Sequence, residues 1–292
     1  MEALGWVRCR LAPLALAAVL SFAPPAPLAA EVANPIDPAS IYVLAVASCP
    51  PWRDKIKICA PDLAKFVDTA KAVMGVSADH VTILVDENAT APAVRAAFAK
   101  LKDSLPQGST LIVYYIGHGM LVPARSGGGD ETEEALILWS ASSPFAAIHA
   151  VHSGMWMTGS ELSGLIDELP AKDILVILDT CNASGADDEI APKPVRFASK
   201  EIALIASSRA HEIAFADLTS AAFTRNLLAA IRSKPPTLYE AFLTAQKETS
   251  AEAAIRCEAA ATSGAIDEAC TPQDPELFDP SGLTKRIELR NE

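Results

Sequence analysis

Short, unbroken apolar runs alternate along this chain with longer stretches whose apolar positions recur every third or fourth residue. The first kind reads as strands buried on both faces, the second as amphipathic helices. IYVLAVAS (41–48) predicts a buried strand, and APDLAKFVDTAKAVMG (60–75) a helix that Pro61 opens and Gly75 closes. HVTILVD (80–86) predicts a second strand, and TAPAVRAAFAKLKDSL (90–105) a second helix with Thr90 as its N-cap. STLIVYYIGH (109–118) is apolar almost throughout, which places it at the centre of a parallel sheet. A Gly-rich acidic loop (126–134) and a short strand, ALILW, come next, followed by a helix over 159–169 and the strand DILVILDT (173–180). EIALIASS (201–208) predicts another strand, 220–233 and 237–257 two helices, and KRIEL (285–289) an edge strand. Strand–helix–strand units predict an α/β fold of three layers, a mostly parallel central sheet flanked by helices. No stretch has the composition of a linker, so a single domain is expected over 40–292.

The first thirty residues stand outside this pattern. Arg8 and Arg10 precede the apolar LAPLALAAVLSFA, and small residues lead up to Ala29 and Ala30. That is the layout of an export signal, followed by a short mature segment, 31–39. The apolar stretch is too short and too Pro-punctuated for a span of about 20 residues, so no stable membrane insertion is expected after cleavage. An uncleaved anchor is the alternative. The formal charge of −12 becomes −13 once Glu2, Arg8 and Arg10 (net +1) are removed. A surface so acidic offers nothing to nucleic acid. A periplasmic or secreted location also changes what the cysteines mean. Cys49, Cys59, Cys181, Cys257 and Cys270 remain, and the economical pairing is Cys49 with Cys59 and Cys257 with Cys270. Cys181 is then the odd thiol.

Cys181 sits just past an apolar run, where α/β proteins place ligands, rather than inside it where a small thiol packs like alanine. His118, flanked by Gly117 and Gly119, ends another predicted strand. In a parallel sheet both ends open onto one rim, where an imidazole can take up a thiol proton. Gly119 leaves room for a backbone N–H to meet a developing oxyanion, joined by the N–H of Cys181 itself. Ser207-Ser208 has no G-x-S-x-G setting, which removes a serine hydrolase. His149, His152 and His211 lack metal-ligand spacing, and no metal or cofactor is expected.

VYYIGHGM and VILDTCNASG resemble the His-Gly and Asp-x-Cys motifs of caspase-like cysteine peptidases, especially the metacaspases and their bacterial relatives. The order agrees, histidine first and cysteine 63 residues later, and the likeness extends over 40–245, leaving 246–292 as a C-terminal extension. The resemblance implies the fold of that superfamily and a dyad of His118 as proton acceptor and donor with Cys181 as nucleophile. It implies an oxyanion hole from the backbone N–H groups of Gly119 and Cys181, and peptide or protein substrates hydrolysed through a thioester without a cofactor. It also implies an acidic pocket for Arg or Lys built from Asp179, two residues before the cysteine, and from the CAPD segment, Cys59 to Asp62. Ile116 and Ser207 complete the candidate substrate-binding set. Two departures stand out. Ile116 replaces a serine usual in metacaspases, and LILWSASSPF lacks the acidic pair of calcium-activated members. Asp187 and Asp188, with Asp130, Glu131, Glu133 and Glu134, read as solvated loop charges. A caspase-fold module that binds without turnover is the second reading.

Overall fold

The computed structural model describes residues 34–51, 57–123, 132–140, 155–181, 183, 201–263 and 271–290. The predicted signal segment, Cys270, Asp130, Glu131, Asp187 and Asp188 lie outside them. The sheet is built on β1 (Ile41–Ser48), β2 (Val81–Val85), β3 (Thr110–Pro123), β6 (Asp173–Asp179) and β7 (Glu201–Ala206). These stand in the order β2-β1-β3-β6-β7, all parallel, with the antiparallel β8 (Glu276–Phe278) on the β7 edge. β4 (Thr132–Ile137) pairs with the far end of β3, and β5 (Trp156–Thr158) pairs with β4, both antiparallel. The fold is α/β, a mostly parallel sheet between helices.

One apolar cluster joins the sheet to α1 (Cys59–Met74), α4 (Ala222–Arg232) and α5 (Leu238–Ser263); another joins the opposite face to α2 (Ala91–Ser104) and α3 (Gly159–Asp167). Both strand faces are therefore covered, which is why the central strands read as unbroken apolar runs. Helix boundaries follow the expected chemistry. Gly75 takes φ 72° at the end of α1, a left-handed cap that a side chain would strain. The Thr90 hydroxyl accepts the Ala93 N–H at the start of α2. Phe66 of α1 stacks on Tyr114 of β3 with ring centroids 4.0 Å apart.

Three expectations need correcting. KRIEL forms no edge strand; Leu283–Arg286 is the short helix α6, and Glu276–Phe278 takes the edge instead. Ile287 and Leu289 are buried in the α1/α4/α5 cluster and Arg286 pairs with Asp173, contacts that pull the segment off the sheet edge. Glu133 and Glu134 belong to β4, not to a solvated loop, and Glu133 accepts the Ser160 N–H in the first turn of α3. β3 runs five residues beyond His118 because β4 gives its extension a second partner.

Candidate active site

The parallel ladder between β3 and β6 ends at the pair Ile116–Asp179. Two residues further along each strand lie His118 and Cys181, so parallel register carries both past the rim side by side. At this point β3 changes partners: through Gly117 it pairs with β1, and from His118 onward with β4. The flanking glycines answer a steric need. A Cβ on Gly117 would collide with the Tyr115 hydroxyl and the Ser48 carbonyl oxygen; one on Gly119 would collide with the Cys181 carbonyl oxygen and the Thr180 hydroxyl. Gly119 is thus packed directly on the Cys181 turn. The Tyr115 hydroxyl anchors the His118 carbonyl at 2.9 Å.

His118 and Cys181, both half-buried, line a cavity of about 470 Å³. Asp179, Ile116 and Gly117 line it too, with Cys49, Ile58 and Cys59, the 213–217 segment and Ala221. Cys49 and Cys59 are joined as a disulfide that ties the end of β1 to the start of α1. The partner expected for Cys257 lies outside the described residues, and the Cys257 thiol approaches the Thr271 carbonyl oxygen at 4.0 Å.

Asp179 is 2% exposed and carries the cavity's buried charge. Its Oδ2 accepts the Thr224 N–H at 3.0 Å and the Thr224 hydroxyl at 2.6 Å. Thr224 has one hydroxyl proton and gives it to Asp179, so the Tyr114 hydroxyl, 2.8 Å away, donates to Thr224. Burial raises the Asp179 pKa to about 6, with the charge of Asp62 adding to the rise, against the opposing pull of the Thr224 bonds.

Two expected substrate contacts are not at the cavity surface. Asp62 is fully buried, because the first turn of α1 faces the start of α4 and its carboxylate is taken up there. It accepts the Ser220 hydroxyl at 2.9 and 2.8 Å, the Ala221 N–H at 2.8 Å and the Lys65 ammonium at 3.0 Å. Asp62 therefore braces the cavity wall from behind. Ser207, also fully buried, bonds the backbone of Thr180. Conversely, Asp217 was not among the sequence candidates yet lines the cavity. Its carboxylate is held ionised, with a pKa lowered to about 2, chiefly by the Thr219 hydroxyl. The D-x-T-S spacing at 217–220 is a side-chain-to-backbone turn legible in sequence, but nothing local says that the turn borders a cavity.

A family model described as the Caspase domain matches residues 54–267. Metacaspase-4 of Arabidopsis thaliana is 26% identical over 155 residues, 50% of this chain and 34% of that protein. Metacaspase-6 of the same plant is 25% identical over 146 residues, 47% of this chain and 36% of that protein. The match thus spans about a third of each relative's length. The crystal structure of protein GSU0716 from Geobacter sulfurreducens superposes with a TM-score of 0.54 at 19% identity, covering 84% of this chain and 96% of that one. That likeness speaks for the fold. With the family model covering most of the chain, the protein belongs to the caspase-domain family and is a metacaspase-like member of that family of cysteine peptidases.

Proposed function

We propose that the protein is an exported cysteine endopeptidase that cleaves peptide or protein substrates after Arg or Lys, with His118 and Cys181 as its catalytic pair. The observation that carries this reading is the shared cavity: a thiol just past the end of β6 and an imidazole on the neighbouring β3, with the carboxylate of Asp179 lining the same space. Cys181 passes its thiol proton to His118 and its sulfur attacks the substrate carbonyl carbon. Charge moves onto the carbonyl oxygen, where the N–H groups of Gly119 and Cys181 receive it. His118 then protonates the departing amine, and water, deprotonated by His118, releases the thioester. No step calls on a cofactor. Asp179 favours a cationic side chain before the scissile bond, and a planar guanidinium suits a carboxylate better than a strongly hydrated ammonium does. Export is supported by the Cys49–Cys59 disulfide, since such bonds persist in oxidising compartments.

The test is turnover of Arg-, Lys- and Asp-reporter peptides by the wild type, Cys181→Ala, His118→Ala and the double variant. The two residues act as one unit, so each single change removes nearly all activity and the double is little worse. Additive losses would dissolve the pair. A folded wild type that cuts no reporter and takes no label at Cys181 from an Arg-bearing acyloxymethyl ketone would leave the binding-module reading in its place.

A further inference from the structure

The ladder between β6 and β7 stops at Leu178–Ala206, yet contact between the two strands continues beyond it through backbone and side chains. The Ser207 N–H donates to the Leu178 carbonyl at 2.9 Å. The Ser207 hydroxyl accepts the Thr180 N–H and donates to the Thr180 carbonyl, both at 3.1 Å. The Ser208 hydroxyl donates to the same carbonyl at 3.0 Å and accepts the Ala183 N–H at 3.3 Å. Both serines are fully buried, and Gln273 holds the Ser207 carbonyl at 3.0 Å. Two hydroxyls thus converge on one carbonyl and fasten the turn on both sides of Cys181.

That carbonyl belongs to the peptide unit whose nitrogen is the N–H of Cys181. The chain has no cis peptide bonds among the described residues, so the carbonyl and this N–H point in opposite directions. Ser207 and Ser208 continue β7, on one side of β6, whereas β3 with His118 and Gly119 lies on the other. Pinning the carbonyl toward β7 aims the Cys181 N–H toward β3. Two donors on one carbonyl also polarise the peptide, which strengthens its N–H as a donor.

We infer that Ser207 and Ser208 are positioning residues that orient and polarise the Cys181 N–H as an oxyanion donor. This rests on the peptidase reading above and assigns these serines a part in the transition state, behind the nucleophile rather than against substrate. A nucleophilic serine and a substrate-contacting one are both at odds with their burial.

Ser208→Ala and Ser207→Ala separate the roles when turnover is compared with alkylation. Iodoacetamide forms a bond to the Cys181 sulfur and expels iodide, developing no charge on a carbonyl oxygen. Losing a whole oxyanion donor costs about 10²–10³ in kcat, so a misaimed one is expected to cost about tenfold or more. Each variant should therefore lose kcat on an Arg reporter with KM little changed. Affinity for an Arg-aldehyde peptide, which forms a tetrahedral adduct, should fall in parallel. The iodoacetamide rate at Cys181 should stay within about twofold of wild type. Equal losses in turnover and alkylation, or unchanged kcat in a folded Ser208→Ala, would overturn the inference while the peptidase reading stands. An inactive wild type would overturn both.

Discussion

A carboxylate only 2% exposed, on the rim of a parallel sheet, weakens the fold unless a charge answers it, and Asp179 is in that position. Its pKa is raised from 3.8 to about 6, and the shift has a definite sign. Between those values the folded state holds a proton that the unfolded state has released, so unfolding free energy falls as pH rises from about 4 to 6 and levels off above. At about 1.4 kcal/mol per pH unit the full effect is on the order of 3 kcal/mol. Asp179→Asn should therefore gain stability over wild type across that window and hold a constant difference above it, as urea unfolding at several pH values would reveal. A flat difference from pH 4 to 7 would contradict the raised pKa. Activity should move the other way. Asp179→Asn should lose on the order of 2–4 kcal/mol of transition-state stabilisation on Arg substrates, because it removes one partner of a buried charge pair. In the wild type, KM for Arg peptides should rise as pH drops through about 6 and Asp179 is neutralised, an effect the asparagine variant should lack.

Between elements, the cavity walls are held by cross-links that a strand-and-helix description omits. The disulfide fastens β1 to α1 across a sequence separation of 10, and Asp62 fastens α1 to the start of α4. Behind the 213–217 segment, Arg225 bridges Asp217 and Glu252, and Arg256 joins Glu252 while lying 4.2 Å over the ring of Phe215, a cavity residue. Closing so short a loop removes unfolded-state freedom equivalent to about 2–3 kcal/mol. Replacing Cys49 and Cys59 together by alanine should lower unfolding free energy by that amount. A loss under about 0.5 kcal/mol would mean that the bond staples a part already rigid. Asp62→Asn belongs at this scale too. With its carboxylate buried among Ser220, Ala221 and Lys65, the substitution should lower stability and blur discrimination among substrates less than Asp179→Asn does.

Over the whole molecule, the segment after α5 closes the structure although the family match ends at 267. Its backbone meets Ile36, Leu238 and Val73 through Arg286, Ile287 and Arg290, and β8 covers the β7 edge. The Arg286 guanidinium reaches Asp173 at the start of β6, with side chains 10% and 4% exposed. Removing one member of a buried pair strands the other, at a cost of about 3–5 kcal/mol. Arg286→Ala should unfold in correspondingly less urea than wild type, while a surface substitution such as Lys102→Ala, whose pair with Glu168 is exposed on both sides, should change little. Equal effects from the two would remove the structural role of this segment.

Alternation of apolar runs with helical periodicity was enough to predict the order of strands and helices and the covered central sheet, because burial on two faces acts on every residue of a strand. That His118 and Cys181 lie just past the end of the shared parallel ladder was legible for the same reason, although β3 itself runs on to Pro123 with β4 as its partner. Distances across the chain were not. Asp62 and Ser220 are 158 residues apart, and nothing near either says that one hydroxyl will occupy both carboxylate oxygens. A helix-start acid looks the same in sequence whether it faces a cavity or a neighbouring helix. Likewise Ser207-Ser208 reads as the polar end of a strand, and only the adjacency of β6 and β7 turns it toward the Thr180 carbonyl. KRIEL has strand composition, yet Arg286 finds Asp173 and its apolar neighbours find the helical core. Sequence by itself determined the local pattern and the chemically capable side chains, since both are properties of residues and their near neighbours. Tertiary structure alone decided which of those side chains share a space, because charge, burial and hydrogen-bond partners come from segments that only folding brings together.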